Sequence, residues 1–552
     1  MRSNRLFFVC FAVIAAGSAL AQPVISPNGV VNASGYQATL APDTVFVIFG
    51  KGLGPATLAA AAAPNYPDSV GGTSITFTPA AGGSAVSAKM VYSVAAQVAG
   101  LLPSSIAPGT YAVQLSYQNQ MSNSVNVTVA ARSFGIATSN SAGTGAAQAT
   151  IGNVNGGISL VRLTGGSVSF NGHDWTLAPA HPGDELVLWG TGGGADPKND
   201  TGGTSGDQTA AGKFSVNVDG TAITPLYAGA ASGYPGLWQI NFVLPSSIAA
   251  NCFAYLQVSA GGQLSNGVTI AIAPAGESSC STAIPAATLS KLDSGSGTVT
   301  MAGLDVGQVT GTPGGTVAGV INRYTVSGFL IPYSGPRFGP CVVLNQTYPV
   351  GTPEPSAPQA TLDAGTLTIT GPGGLNQTVA KLAQPLGPVY NSSIPIVEGG
   401  TYTLKASGGS DVGPFSISTT LPNSFSVSNL SSFATINRAN PLTVKWSGSG
   451  FDQVNILILS TVLTATAVQG ASVACTLPAS LGTFTIPSAA LAYLPASTLG
   501  SFQVLAEKNG GGIQSAESTT DPNTVIPLVS GGLVDFGGFS FYIDSYQAAT
   551  IE

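Results

Sequence analysis

The first half of the chain contains one sequence pattern twice, and this duplication constrains the fold more than any other feature. The segment "APDTVFVIFGKGLG", which begins at Ala41, recurs in altered form as "HPGDELVLWGTGGG", which begins at His181. The hexapeptide "LPSSIA" occurs unchanged at residues 102–107 and 244–249. A pattern that returns in the same order and with nearly constant spacing indicates a duplicated domain.

Each copy consists of short segments in which apolar and polar residues alternate, separated by Gly, Pro, Asn and Asp. One example is "SNSVNVTVA" from Ser122, which returns as "SNGVTIAIA" from Ser265. Short alternating segments with frequent turn residues are typical of β-sandwiches. We therefore predict an all-β fold of tandem immunoglobulin-like β-sandwich domains, the first at residues 22–131 and the second at residues 132–281.

The glycines of "GKGLG", at residues 50–54, could belong either to a dinucleotide-binding loop or to a turn between strands. A dinucleotide-binding loop lies between a strand and a helix within a βαβ unit. Alternating β-type sequence follows here, and the second copy has no helix-forming segment after its glycines. We therefore interpret the glycines as a turn, where glycine permits positive φ.

The second half of the chain is also rich in β-type sequence. A segment of Ser, Thr, Pro and Ala after Cys280 is typical of a linker and places a domain boundary near residue 285. Beyond it, "TLDAGTLTITGPGG" and "NPLTVKWSGSGFDQVNILIL" again alternate and contain turn residues. We predict a β-rich third domain at residues 286–428 and a β-sandwich fourth domain at residues 429–552.

The N-terminal residues have the pattern of a secretion signal. Arg2 and Arg5 precede an apolar run, and Ala19-Leu20-Ala21 forms a small-x-small cleavage site. No later stretch reaches the roughly 20 apolar residues that a membrane-spanning helix requires. Residues 1–21 are therefore predicted to be a signal peptide, and the mature protein is expected to be secreted or displayed at the cell surface without a membrane span.

The charge of the chain argues against two classes of partner. Sixteen Lys and Arg oppose 23 Asp and Glu, which gives a formal net charge of −7, and only 7% of residues are charged. Proteins that bind nucleic acids or anionic membranes carry basic patches. We therefore expect no nucleic-acid partner.

Four cysteines follow the predicted signal peptide, and in an oxidising compartment an even number suggests disulfides. Four cysteines allow three pairings. Cys252 opens a strand-like segment and Cys280 follows the return strand, so we predict that these two are bridged. Cys341 and Cys475 would then pair with each other or remain free.

The sequence lacks the patterns that commonly carry catalysis. It has two histidines, no Gly-x-Ser-x-Gly elbow, and no feature that pairs two carboxylates. A zinc site needs three or four ligands, and the cysteines are expected to be oxidised. We therefore predict no catalytic and no cofactor-binding residues.

Calcium is the ion that best fits the sequence. The loop "GADPKNDTGGTSGD" brings Asp196, Asp200 and Asp207 into one Gly-rich segment, and calcium accepts irregular sets of oxygen ligands. Asp and Asn are also ordinary turn residues. We interpret the segment as a solvated hairpin loop, with a calcium site as the alternative.

Three segments resemble a known family. They are "VVNASGYQATLAPDTVFVIFGKGLGP", "LYAGAASGYPGLWQINFVLPSSI" and "LSNGVTIAIA". They resemble the paired immunoglobulin-like repeats of large exported proteins of soil bacteria. The resemblance covers residues 24–281, includes Cys252 and Cys280, and brings no catalytic residues. The first copy departs from the family pattern near Tyr92, where the usual glycine-flanked Tyr is missing.

These observations favour a non-catalytic exported protein that serves adhesion, matrix formation or surface display. Loops at the ends of the sandwiches would bind an extracellular polysaccharide or a surface protein. The alternative is a carbohydrate-active hydrolase whose catalytic carboxylates lie in the C-terminal half. Such an enzyme requires two carboxyl groups that flank the scissile bond.

Overall fold

The structure is a computed structural model, and it confirms the predicted all-β fold of tandem β-sandwiches. It describes residues 22–152, 158–170, 173–282, 284–295, 297–312, 314–330, 335–350, 356–422, 424–465, 467–509, 512–514 and 524–552. The predicted signal peptide lies outside these residues. No helix in the described part of the chain is both long and apolar enough to cross a membrane.

The first repeat is a sandwich of two sheets. Its strands are β1 (Val24–Asn32), β2 (Thr39–Leu40), β3 (Val45–Lys51), β4 (Ala59–Ala60), β5 (Thr73–Pro79), β6 (Val86–Ser87), β7 (Lys89–Val94), β8 (Gln97–Leu101), β9 (Gly109–Tyr117), β10 (Gln120–Met121) and β11 (Val125–Val129). One sheet has the order β1-β3-β8-β7-β4, and the other has the order β2-β11-β9-β5-β6 with β10 on β9. Alternate residues such as Ile75, Phe77 and Val113 fill the core between the sheets.

The second repeat is a sandwich of the same kind. Its elements are β12 (Gly135–Ile136), β13 (Ala149–Gly152), β14 (Ile158–Val161), β15 (Gly166–Phe170), β16 (His173–Ala178), β17 (Glu185–Thr191), α1 (Thr209–Gly212), β18 (Ser215–Val218), β19 (Thr221–Ile223), β20 (Tyr227–Ala230), β21 (Trp238–Val243), β22 (Asn251–Ala260), β23 (Gln263–Leu264) and β24 (Val268–Ile272). One sheet has the order β15-β16-β14-β13-β17-β21-β20 with β12 on β17, and the other has the order β19-β18-β22-β23 with β24 on β22.

Strand pairing places the matched residues of the two repeats in corresponding positions. Phe49 on β3 pairs with Gln97 on β8, and Trp189 on β17 pairs with Gln239 on β21. These four residues correspond in the duplicated sequence. The matched residues of the two copies therefore lie on corresponding strands, which confirms the duplication predicted from the sequence.

Side-chain hydrogen bonds are duplicated as well. The amide of Asn123 accepts a hydrogen bond from the backbone N–H of Ile25 at 2.7 Å and donates to its carbonyl oxygen at 3.1 Å. The amide of Asn266 makes the same two bonds with Ile136, at 2.8 and 3.0 Å. In each repeat this amide ties the edge of the sandwich to the strand that opens it, which explains why both copies retain Ser-Asn at this point.

Gly50 and Gly190 lie within β3 and β17, whereas Gly52 and Gly192 follow the ends of these strands, where the sequence predicted a turn. A Cβ on Gly50 would lie 2.1 Å from the carbonyl oxygen of Val24, and one on Gly190 would lie 2.2 Å from that of Gly135. Gly52 and its counterpart Gly192 have positive φ, 64° and 87°. Strands, and not a helix, follow β3, so the dinucleotide-binding interpretation is excluded for this loop.

The C-terminal half is built around one wide sheet. Its elements are α2 (Ala286–Asp293), β25 (Thr298–Val309), β26 (Gly315–Thr325), α3 (Val326–Leu330), β27 (Arg337–Phe338), β28 (Cys341–Pro349), β29 (Ala360–Thr361), β30 (Leu367–Gly371), β31 (Leu375–Val379), β32 (Lys381–Gln384), β33 (Gly387–Ile394), β34 (Thr401–Ala406), β35 (Phe415–Thr420), β36 (Phe425–Val427), β37 (Thr435–Ile436), β38 (Leu442–Gly448), β39 (Gln453–Leu463), β40 (Ala467–Pro478), β41 (Thr483–Ile486), α4 (Ser488–Leu491), β42 (Ser497–Lys508), β43 (Gly512–Gln514) and β44 (Phe536–Ile551). The main path of the wide sheet is β27-β28-β40-β39-β42-β44-β25-β26-β33-β32.

Strands from both sides of residue 428 share this sheet. β44, close to the C-terminus, pairs in parallel with β25 at the start of this half. One hydrophobic cluster extends from Ala302 to Ile551 and includes residues of both predicted domains. The domains predicted at residues 286–428 and 429–552 are therefore joined by a common sheet and core, and their division into separate folding units stays a prediction.

Candidate functional site

The loop that carries Asp196, Asp200 and Asp207 packs against the first repeat. The carboxylate of Asp200 accepts hydrogen bonds from the backbone N–H and the hydroxyl of Ser104, at 2.9 and 2.6 Å. Asp196 accepts hydrogen bonds from the backbone and hydroxyl of Ser205. Asp200 therefore ties the loop to the first repeat and Asp196 bonds within the loop, where the sequence predicted a solvated hairpin.

The structure does not gather these three acids into one ion-binding group. Asp207 accepts its hydrogen bonds from Thr209 and from the backbone of Ala228, apart from the contacts of Asp196 and Asp200. Among the described residues, no group of three or more His, Cys, Asp or Glu is arranged to hold a metal ion. The geometry therefore gives the calcium alternative no support.

Sequence reasoning missed a buried carboxyl group beside this loop. Asp43, in the turn before β3, is fully buried, and its Oδ2 accepts a hydrogen bond from Nδ2 of Asn199 at 2.9 Å. Its Oδ1 and the nearby indole N–H of Trp238 are buried without a hydrogen bond of normal geometry. Burial raises the pKa of Asp43 to about 8, and the charges of Asp200 and Asp196 add to the increase. The hydrogen bond from Asn199 lowers the pKa, but by less than burial raises it.

In the described segments of the chain the structure contains one disulfide, and it joins Cys341 and Cys475, which is one of the two outcomes predicted for these cysteines. Cys341 and Cys475 lie opposite each other on β28 and β40 and form a disulfide. Cys252 and Cys280 are buried free thiols that contact each other. This contact, together with burial, raises the pKa of Cys280. The two thiols are close enough to form the predicted bridge between Cys252 and Cys280. This bridge stays a prediction for the oxidised protein.

We expect the secreted protein to contain this second bridge. Non-reducing peptide mapping should recover Cys252 and Cys280 in one linked pair of peptides, because the thiols are already neighbours. In an oxidising compartment an external disulfide accepts the two electrons and the two protons that the thiols lose when the bond forms. Protein purified under reducing conditions is the control. Recovery of Cys252 as a free thiol from the oxidised protein would contradict the prediction.

A cleft of about 830 Å³ lies between the second repeat and the C-terminal half. Its lining comprises Ser215, Asn217, Asp219, Gly220, Thr221, Tyr255, Gln257, Ser259 and Leu264 from the second repeat, and Pro336, Arg337, Phe338, Gly339, Pro340, Phe484, Thr485, Pro487 and Tyr493 from the C-terminal half. We refer to it as the interdomain cleft.

The wall formed by the second repeat is polar. Ser215 pairs with Ser259, and Asn217 pairs with Gln257, across β18 and β22. Residues between them on each strand, such as Val216, are buried in the core, because successive side chains of a strand point to opposite faces. The outer face of these strands therefore presents rows of hydroxyl and amide groups to the cleft.

The opposite wall is apolar and aromatic. Phe338 on β27 and Tyr493 after α4 have ring centroids 5.8 Å apart and planes inclined at 58°. Phe484 and several prolines extend this surface. Tyr493 is 36% exposed. The interdomain cleft therefore combines an aromatic wall with a wall of hydrogen-bonding groups.

One ion pair joins the two walls. Nε of Arg337 lies 3.6 Å from Oδ1 of Asp219. Asp219 also accepts hydrogen bonds from the backbone N–H of Tyr255 at 2.7 Å and from Nδ2 of Asn251 at 2.8 Å. Burial raises the pKa of Asp219, while these hydrogen bonds and the charge of Arg337 oppose the increase.

Helix α2, in the predicted linker, contacts both the second repeat and the C-terminal half. Asp293 at its end accepts hydrogen bonds from the backbone of Leu163 and Thr164 in the second repeat, at 2.7 and 2.8 Å. Lys291 forms an ion pair with the buried Asp535 of the C-terminal half. The linker therefore bonds to both parts of the chain that form the walls of the cleft.

Another group of carboxyl groups lies on the wide sheet. Burial raises the pKa of Asp305 on β25 to about 7, and the charge of Glu507 on β42 adds to the increase. Oε2 of Glu507 accepts hydrogen bonds from the amides of Gln453 and Asn455. Neither carboxyl group lines the interdomain cleft.

Comparison with known proteins gives distant structural similarity alone. No family model and no curated protein matches the sequence. A surface protein from a mixed-linkage glucan utilization locus of Bacteroides ovatus, solved with a heptasaccharide, is 10% identical, with 85% of this chain and 90% of that chain covered and a TM-score of 0.13. A counterpart from a xyloglucan utilization locus of Bacteroides uniformis is 9% identical, with 68% and 86% covered and a TM-score of 0.16.

An adhesin provides a third comparison. InvE of Yersinia pseudotuberculosis is 12% identical, with 46% of this chain and 58% of that chain covered and a TM-score of 0.12. At these TM-scores the similarity identifies neither a ligand nor an activity for this chain.

Proposed function

We propose that the protein is an exported, non-catalytic binding protein that holds a polysaccharide chain in the interdomain cleft. The observation that supports this most directly is the pairing of an aromatic wall with a wall of amide and hydroxyl groups. A sugar ring has an apolar face of C–H groups and a polar edge of hydroxyl groups. Aromatic rings such as Phe338 and Tyr493 match the first, and Asn217 and Gln257 match the second.

The carboxylate content of the cleft favours binding over hydrolysis. Glycosidases require two carboxyl groups on either side of the scissile bond. Among the described residues that line the cleft, Asp219 is the only carboxylate. Both of its oxygens accept hydrogen bonds from the second repeat itself. Asp219 is therefore a structural group that orients Arg337 rather than an acid or a base placed for catalysis.

The anchoring of the linker also supports a binding role. Asp293 and Lys291 anchor α2 to the second repeat and to the C-terminal half, which form the two walls. A site that is already formed loses less conformational entropy when a ligand binds. The site predicted from sequence was at the loops of the sandwich ends, whereas this proposal places it on a sheet face.

Substitution of the aromatic wall tests the proposal. Titration of the mature protein with a panel of soluble polysaccharides should identify a ligand, and Tyr493→Ala or Phe338→Ala should weaken its binding about tenfold, because each removes a ring from the wall. Tyr234→Ala is the matched control, since Tyr234 is 61% exposed and lies outside the cleft. Equal affinities for all three variants and the wild type would contradict the proposal.

The hydrolase alternative has its own test. If the bound polysaccharide is incubated with the protein, no new reducing ends should form, because the cleft lacks a carboxyl pair. Hydrolysis that Glu507→Gln abolishes, with the fold intact, would instead support catalysis by the carboxyl groups on the wide sheet.

A further inference from the structure

Arg337 is the cationic residue of the interdomain cleft. Among the described residues that line it, Arg337 and Asp219 carry the charges, and the remainder are neutral. Arg337 lies on β27, where it pairs with Val342 on β28, so its backbone is held in the wall that also carries Phe338. The side chain is 18% exposed, which leaves it open to the cleft while removing most of its contact with water.

Within the part of the chain that the structure describes, the hydrogen-bonding capacity of Arg337 is not used. A guanidinium group carries five N–H donors. Its Nε is buried and makes no hydrogen bond, because the 3.6 Å separation from Asp219 is too long for one. No described residue accepts a hydrogen bond from either Nη atom. Asp219, by contrast, already accepts two short hydrogen bonds from its own domain.

Such a guanidinium group suits a carboxylate ligand. The planar fork of Arg matches the two oxygens of a carboxylate and can bind both at once. Partial burial strengthens this interaction, because the local dielectric constant is lower than that of water. The net charge of −7 opposes an anionic ligand only weakly, since charges more than about 8 Å away are screened at physiological ionic strength.

We propose that the cleft selects a polysaccharide that carries uronic acid residues, with Arg337 binding the carboxylate. This inference rests on the proposed function and narrows its ligand to one chemical class. The sugar rings would contact Phe338 and Tyr493, while the carboxylate would occupy the donors that Arg337 leaves unused. Asp219 would keep the guanidinium oriented without competing for its Nη atoms.

Two oligosaccharides that share one sugar backbone and differ only in the charge of their carboxyl groups test this selectivity. Oligogalacturonate should bind the mature protein at least about tenfold more tightly than the same oligosaccharide with its carboxylates methyl-esterified. Arg337→Gln should remove that difference, and Arg337→Lys should retain part of it, because lysine keeps the charge without the planar fork. Binding of oligogalacturonate should also weaken as salt is added.

The control and the outcomes separate this inference from the proposed function. Lys405→Gln removes one positive charge from an exposed position on β34 and should leave the preference unchanged. Melting temperatures of all variants establish that they fold. Binding of neutral oligosaccharides equal to or tighter than that of oligogalacturonate, with sensitivity to Tyr493→Ala, would overturn the inference and leave the proposed function in place. Failure of every oligosaccharide to bind would overturn both.

Discussion

The protein is expected to be less stable at about pH 9 than at about pH 6, and Asp43→Asn should remove most of that difference. Asp43 is fully buried between the repeats, and burial raises its pKa to about 8. The folded state therefore holds a proton that the unfolded state releases near its ordinary pKa of about 4. Stability from this group is complete below about pH 4 and is lost as the pH rises through about 8.

The expected loss of stability depends on how much of the range between the two pKa values, about 4 and about 8, lies between the two pH values that are compared. Between about pH 6 and pH 9 the free energy of unfolding should fall by about 2–3 kcal/mol through Asp43 alone. Asn suits the position, because the φ of 65° is one that Asn tolerates well. Its amide can also donate to Oδ1 of Asn199, which is buried without a partner. Thermal melting across this pH range measures the effect.

An exposed carboxylate of the same repeat provides the control. Asp68 has a side chain that is 67% exposed and pairs with Lys89 at the surface. Asp68→Asn should keep the wild-type dependence of melting temperature on pH, since exposed ion pairs contribute little. If the melting temperature of Asp43→Asn depends on pH as steeply as that of the wild type, the carboxyl group of Asp43 does not cause the loss of stability at high pH.

The sequence predicted those features that depend on local pattern. Alternation within segments such as "SNSVNVTVA" from Ser122 identified strands, because one face of each strand fills a sandwich core. The duplication predicted that Phe49 and Trp189 would lie on corresponding strands, and their pairing with Gln97 and Gln239 confirms it. These predictions succeeded because the information lies within a few neighbouring residues or in direct comparison of two segments.

The cleft could not be predicted in the same way. Asp219 and Arg337 belong to different domains and are 118 positions apart in the sequence, and neither stands in a recognisable motif. Likewise, the parallel pairing of β25 with β44 joins residues near 300 with the C-terminus. Such pairings are determined by the packing of whole sheets, and no local pattern specifies the register between distant strands. The buried Asp43 escaped notice because a turn Asp is ordinarily exposed.

Loss of the Cys341–Cys475 disulfide is expected to be the most destabilising of the changes considered. The bond joins residues 134 positions apart. In the chain-entropy model, closing a loop of this length stabilises the folded state by about 5 kcal/mol. The double variant Cys341→Ala/Cys475→Ala should lower the melting transition of the C-terminal half accordingly. Differential scanning calorimetry under oxidising conditions measures it, with non-reducing peptide mapping to verify the bond in the wild type.

The same variant should also weaken binding in the interdomain cleft. Arg337 and Phe338 lie on β27, which pairs with Val342 and Cys341 at the start of β28, and the disulfide secures β28 to β40. Lys405→Gln is the control, because it changes an exposed position on β34 and leaves the disulfide and both walls of the cleft untouched. A C-terminal transition and a binding affinity that both equal those of the wild type would mean that the strand pairing alone holds this wall. If stability falls while affinity is retained, the disulfide stabilises the sheet without positioning the cleft.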